Sequence, residues 1–97
     1  MTSWEELVEQ GNFSDAERPM LIATDGGGGL APDCATRAGF YENWAEHLDG
    51  YQKNAKYQEA LVYLQMYAMR APTGEEEAAR TAEVDRVQKI VDELEGD

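Results

Sequence analysis

Two short stretches, EQGNFSDAE at residues 9–17 and KNAKYQEAL at residues 53–61, repeat one pattern of residue types. Each has a small residue, an aromatic two positions later and an Ala three positions after that: Gly11, Phe13 and Ala16, then Ala55, Tyr57 and Ala60. An aromatic ring at the start of a helix can pack across the preceding turn, and an Ala one turn later lets a neighbouring helix approach closely. The repeated pattern therefore predicts two helical hairpins of similar build.

Helix signals dominate the rest of the sequence, and no alternating β pattern is visible. Ser3 opens a capping box and Gly11 is typical of a helix end, so the first helix is short. Ser14 opens a second capping box and predicts a helix over about 14–24, which Pro19 either kinks or delays. Apolar residues at helical spacing predict three further helices, over about 33–49, 54–71 and 75–95.

The chain of 97 residues is expected to form a single domain, residues 1–97. Its predicted parts are hairpin one at 3–24, a Gly-rich linker at 25–32, hairpin two at 33–71 and an amphipathic capping helix at 75–95. The glycines lack the preceding strand and the following Lys of a phosphate-binding loop, so they indicate a linker. Gly39 predicts close approach of another helix, and Gly50 predicts the end of the third helix. The fold class is therefore all-α, with about five helices.

The repeated positions resemble the tetratricopeptide repeat, whose pattern runs W-x2-L-G-x2-Y and then G-x-Y-x2-A. The matching positions are Gly11, Phe13, Ala16 and Ala23 in hairpin one and Trp44, Tyr51, Tyr57 and Ala60 in hairpin two. The repeat from Gly11 to Ala55 is longer than the usual period of about 34 residues, and the linker accounts for the difference. The resemblance covers most of residues 3–71. It implies a helical array that binds peptide segments of partner proteins.

The composition narrows the function classes. Twenty acidic residues against eight basic ones give a net charge of −12, which repels phosphate backbones and disfavours nucleic-acid binding. No stretch approaches the roughly 20 apolar residues of a membrane span. The N-terminus MTSWEELVEQ lacks the basic and apolar regions of a signal peptide, so a cytoplasmic location is expected. The acidity is typical of a solvated surface, and it would also suit a decoy for a basic protein surface.

No catalytic, cofactor-binding or metal-binding residue is predicted. His47 is the only histidine, and no nucleophile with a supporting partner can be assigned to it. It also lacks the Glu-x-x-His spacing of helical carboxylate metal sites. Cys34 is the only cysteine, which excludes an internal disulfide and a Cys-based zinc site. We therefore expect neither an enzyme nor a bound cofactor.

Aromatic and Met residues cluster between positions 40 and 69, in greater number than five short helices can bury. Exposed residues of these types are common on protein-binding surfaces. The candidate partner-binding residues are Tyr63, Met66, Met69, Phe40 and His47. The sequence thus predicts a small acidic adaptor or chaperone-like module that binds a protein or peptide, for which a basic partner is one option. The alternative is an acidic inhibitor or immunity-type protein that occludes a basic surface of a nuclease or another enzyme. A homodimer stays open.

Overall fold

The computed structural model describes residues 3–25 and 31–96. These residues form five helices and no strand, which confirms the all-α fold class. The helices are α1 (Trp4–Glu9), α2 (Phe13–Ala23), α3 (Ala31–Glu46), α4 (Gly50–Met69) and α5 (Gly74–Glu95).

The two ends of α1 form as its sequence predicts. The Ser3 hydroxyl accepts a hydrogen bond from the backbone N–H of Glu6 at 3.3 Å, so it caps the first turn. At the other end Gly11 has a φ of +77°, which an L side chain adopts only with strain. Its N–H bonds the carbonyl of Val8, and the N–H after it bonds the carbonyl of Leu7. This is a Schellman ending, and it turns the chain directly into α2.

The start of α2 differs from the prediction. The helix begins at Phe13, one residue before the predicted capping box, and its N-cap is Asn12. The Asn12 side chain bonds the Asp15 carboxylate at 2.8 Å instead of a backbone N–H. Pro19 lies within the helix on its exposed side, so the carbonyl that loses its hydrogen-bond donor is on the side that water can reach.

The connection from α3 to α4 is earlier than predicted. The helix α3 ends at Glu46, and the N–H groups of the next two residues bond carbonyls three positions back, which tightens the last turn. Gly50 is not the end of α3 but the first residue of α4, where its φ of +57° lets the chain reverse direction. At its other end α3 already includes Ala31, inside the predicted linker; residues 26–30 of that linker lie outside the described part of the chain.

The helices pack in chain order. The α1 helix packs on α2, α3 packs along α4 and α4 packs along α5, while α2 meets α3 over a short region only. The resulting slab measures 41 × 38 × 18 Å. Since each inner helix is flanked by two others, grooves remain between helices that share a neighbour.

Two buried clusters hold the slab together. The aromatic cluster consists of Phe13, Ala16, Met20, Phe40, Tyr41 and Ala60. The aliphatic cluster consists of Ala45, Tyr57, Leu61, Val87 and Val91. Both clusters include residues of α3 and of α4, so this pair of helices is common to the two clusters. The aromatic and the Ala of each repeated stretch, Phe13 with Ala16 and Tyr57 with Ala60, are all buried.

The α5 helix is amphipathic, as predicted. The Thr73 hydroxyl accepts from the N–H of Glu76 at 3.1 Å, and three Glu residues fill the first turn, where the helix dipole favours negative charge. Arg80 reaches back to α4: its guanidinium lies 3.8 Å from the ring centre of Tyr67 and donates to the carbonyl of Tyr67 at 2.9 Å. Arg80 thereby satisfies a carbonyl in the last turn of α4.

Candidate functional site

A groove lies between α2 and α4, and we call it the α2/α4 groove. Among the described residues, both helices pack against α3 and not against each other, so α3 forms the base of the groove. Its volume is about 470 Å³. Its lining consists of Glu17 from α2, Arg37 and Tyr41 from α3, and Glu59, Val62, Tyr63 and Met66 from α4. The groove therefore combines an aromatic and aliphatic lining with one carboxylate from each flanking helix.

Two parallel tyrosine rings form the base of the groove. The rings of Tyr41 and Tyr63 lie 5.9 Å apart at an interplanar angle of 2°. The Tyr41 hydroxyl donates to the Glu17 carboxylate at 2.7 Å. Burial, then this hydrogen bond and the charge of Glu17, raise the pKa of Tyr41 far above its ordinary value. The phenol thus stays protonated and keeps donating, which fixes α2 relative to α3.

Arg37 closes the end of the groove towards the C-terminus of α2. Its Nε donates to the Thr24 hydroxyl at 2.7 Å and its Nη2 donates to the carbonyl of Leu21 at 3.0 Å. These groups belong to the last turn of α2, where a cation is favoured by the helix dipole. The guanidinium also lies 5.5 Å from the ring centre of Tyr63. Arg37 therefore links α3 to the end of α2 and to Tyr63 of α4.

Lys56 separates the α2/α4 groove from a second depression. Its ammonium lies 4.0 Å from the ring centre of Trp44 and 5.8 Å from that of Tyr41, and it reaches the Glu59 carboxylate at 3.7 Å. The second depression, of about 360 Å³, includes Trp44 and the highly exposed Tyr51. Lys56 therefore lies over two rings and offsets the charge of Glu59 at the edge of the α2/α4 groove.

Two of the five predicted partner-binding residues meet in the α2/α4 groove: Tyr63 and Met66 are adjacent in its lining. Met69 lies at the end of α4, 86% exposed and outside that lining. His47 is exposed just beyond α3, where its Nδ1 lies 2.9 Å from the carbonyl of Asn43 and its ring packs 5.1 Å from that of Phe13. The structure thus brings these predicted residues together only in part.

Phe40 requires a correction, because it belongs to the core. It is 4% exposed, and its ring meets the rings of Trp4, Phe13 and Trp44 edge-on at 5.8–6.2 Å. A ring enclosed in this way supports the packing of α1 and α2 on α3 and has no surface left for a partner. Sequence reasoning missed Glu17 and Arg37, since neither has a periodic signal that links it to α4.

A third groove, of about 410 Å³, lies over α4, with α3 on one side of it and α5 on the other. Gly39 lies in its lining with no atom within 4 Å of where a Cβ would be, so the predicted close approach of a helix at Gly39 is wrong. Arg86 bridges the groove, donating to Glu42 and to Glu83 at 2.6 Å each. These two hydrogen bonds raise the pKa of Arg86 above its ordinary value. The charges of this groove are therefore largely paired with one another.

Cys34 lies on α3 and is 2% exposed, with Nη1 of Arg70 at 3.8 Å from its Sγ. Within the described ranges no three His, Cys, Asp or Glu residues come together as a metal site. No helix in those ranges is long and apolar enough to span a bilayer. Comparison with known protein families, with curated proteins and with solved structures found no match.

Proposed function

We propose that this chain is a tetratricopeptide-like interaction module whose α2/α4 groove binds a segment of a protein partner. The observation that carries the proposal is the groove itself, since Tyr63 and Met66 share it with Val62, whose side chain is about half exposed. Aromatic and Met side chains are enriched where proteins bind one another. The burial of the aromatic and the Ala in both repeated stretches supports the repeat-like packing.

The groove suits binding better than chemistry. Its titratable groups already serve one another: Tyr41 donates to Glu17, Arg37 holds the end of α2, and Glu59 contacts Lys56. A catalytic site needs a nucleophile or base with an oriented partner and room for a substrate beside it. Here the polar groups support the aromatic base of the groove, and the apolar side chains of α4 stay accessible.

The test is quantitative affinity capture from the native lysate with the wild-type chain and the Tyr63→Ala/Met66→Ala variant. If the groove binds the partner, the variant should recover it at least about tenfold less, as expected for hot-spot residues. Ile22→Ala/Tyr51→Ala is the matched control, because it also removes one aliphatic and one aromatic side chain, each more than 60% exposed and outside the groove lining. Equal recovery by the wild type and the Tyr63→Ala/Met66→Ala variant would reject the groove.

The acidity supports a second candidate, an inhibitor that occludes a basic surface. The first turn of α5 presents Glu75, Glu76 and Glu77, all exposed, on a chain with a net charge of −12. Binding through exposed carboxylates is screened by salt, whereas apolar contacts in a groove are not. Capture that collapses between about 50 and 200 mM salt would favour the inhibitor. Capture that persists and depends on Tyr63 and Met66 favours the groove.

A further inference from the structure

The side of α4 that faces neither α3 nor α5 carries a row of apolar residues, which we call the α4 stripe: Ala55, Val62, Met66 and Met69. Their spacings of seven, four and three residues place them on one line of the helix. Val62 is 52% exposed and Met69 86% exposed, while Met66 is half-buried beside Tyr63. The stripe therefore runs along most of α4. Val62 and Met66 line the α2/α4 groove, while Ala55 lines the second depression and Met69 lies outside both.

We infer that the segment bound at the α4 stripe is a basic amphipathic helix of another protein. This inference rests on the proposed function and names its class of partner. Residues at heptad-like spacing on one helix form the holes that receive apolar side chains of a second helix. The stripe from Ala55 to Met69 is about 21 Å long, which corresponds to four turns of a partner helix. Two Met side chains adapt to partners of different shape.

The net charge of the chain selects the sign of the partner. Glu59 lies within the row, between Ala55 and Val62, and Glu17 faces it across the groove from α2. Two cations lie beside these carboxylates: Arg37 holds the end of α2, and Lys56 lies over the Trp44 ring at 3.7 Å from the Glu59 carboxylate. The charges next to the stripe therefore offset one another, and the acidic excess belongs to the chain as a whole. With a net charge of −12 on the whole chain, a partner helix flanked by Lys or Arg gains favourable electrostatics as it approaches.

The same charge disfavours the other occupants. A second copy of this chain would carry another −12, so two copies repel each other as they approach. A membrane surface is anionic and repels the same carboxylates. An extended peptide would gain no backbone hydrogen bonds from strand pairing, because no sheet edge exists among the described residues. A helix pairs its own backbone groups and needs only side-chain contacts.

The experiment measures fluorescence anisotropy of a labelled three-heptad peptide with Leu at the two apolar positions and Lys at the flanking positions. Three comparison peptides are titrated with it at 150 mM salt: one of the same composition with the heptad order scrambled, one with Glu in place of Lys, and one with Ala in place of Leu. We expect the Leu/Lys peptide to bind at least tenfold more tightly than each of the other three. Equal binding of the scrambled peptide would show charge attraction alone and would overturn the inference.

Val62→Asp tests the position of the peptide, and Thr81→Asp on the exposed side of α5 is its control, since both add one negative charge to a helix. We expect at least tenfold weaker binding to Val62→Asp and unchanged or slightly tighter binding to Thr81→Asp. Circular dichroism verifies that both variants remain helical. Equal binding to the two variants would overturn the placement on the stripe.

Two further results separate this inference from the proposed function. If the Leu/Lys peptide does not bind, but capture from lysate still depends on Tyr63 and Met66, the groove binds a partner and that partner is not a basic helix. If sedimentation shows a wild-type dimer that Val62→Asp dissociates, the occupant of the stripe is a second copy, and the inference is wrong.

Discussion

The aromatic cluster and the aliphatic cluster both include residues of α3 and α4, but they attach the remaining helices to this pair by different chemistry. In the aromatic cluster α2 and α3 meet over a short region, and rings span it: Phe13 lies 5.9 Å from both Phe40 and Trp44. Two polar links reinforce the joint, from Tyr41 to Glu17 and from Arg37 to Thr24. In the aliphatic cluster α4 and α5 run along each other and bury Val and Leu side chains.

The two clusters differ in how the stabilising free energy of each helix–helix contact is distributed over its residues. A helix contact made by a few large rings and hydrogen bonds depends strongly on each of them. A long helix–helix contact instead distributes its free energy over many small contributions. The α2/α4 groove lies beside the first kind of contact, the one between α2 and α3. Substitutions in the aromatic cluster should therefore affect both stability and the shape of the groove.

The largest expected effect comes from Phe13→Ala. Phe13 is 3% exposed and touches rings from α3, so its removal leaves a cavity and should lower the free energy of unfolding by about 3–5 kcal/mol. Chemical denaturation measures this loss, and Ile22→Ala, at a 68% exposed position of the same helix, should change it by less than about 0.5 kcal/mol. Hydrogen exchange should speed up first in α1 and α2. Equal acceleration in α5 would mean that the two clusters unfold as one.

Val87→Ala should have a smaller effect on the aliphatic cluster. Val87 is fully buried, and losing two methyl groups together with the small cavity costs about 2 kcal/mol. The control is Val62→Ala at a half-exposed position of α4, for which we expect a much smaller loss in the same denaturation experiment. A loss for Val87→Ala as large as that for Phe13→Ala would contradict the proposal that the aliphatic cluster depends less on any single side chain than the aromatic cluster does.

Tyr41→Phe should have the smallest effect at neutral pH, about 1 kcal/mol, because it removes one hydrogen bond to Glu17. Its pH dependence is more specific. In the unfolded chain Tyr41 ionises near pH 10, whereas the fold raises its pKa, so the unfolded state binds fewer protons and stability falls as pH rises above about 10. Melting temperatures measured from pH 8 to 11 should fall less steeply in Tyr41→Phe than in the wild type.

Tyr51→Phe, which removes the hydroxyl of an 86% exposed side chain, is the control variant in the same melting experiment. Part of the slope should survive in Tyr41→Phe. Tyr57 also has a raised pKa, caused by burial and then by the charges of Glu46 and Glu42, with Arg86 acting in the opposite direction. If Tyr41→Phe and the wild type lose stability in parallel, the Tyr41–Glu17 contact does not control the alkaline response.

Local sequence signals predicted the helix ends well where a residue type has a single common role in such an end. The Ser3 cap, the ending at Gly11 and the acidic first turn of α5 depend on neighbours within four positions, which a sequence displays directly. Gly50 misled the prediction because a residue at positive φ can end one helix or lead into the next. The choice depended on α3 already having ended at Glu46.

The candidate site was predictable only in part, for a physical reason. Tyr63 and Met66 stand out because large apolar residues exceed what the core can hold, and periodicity places both on α4. Which aromatic is buried depends on tertiary packing, and Phe40 fills the space between α1, α2 and α3 that the sequence does not display. The contact between Glu17 and Tyr41 joins residues 24 positions apart, and no local pattern encodes it.

The enclosed thiol on α3 gives this chain its own reporter of opening. Cys34 is the single cysteine and is 2% exposed, so a thiol reagent modifies only those molecules in which α3 has locally separated from its surroundings. The labelling rate thus measures how often α3, the helix at the base of the α2/α4 groove, opens transiently. An occupant that bridges α2 and α4 should slow the modification without touching the sulfur.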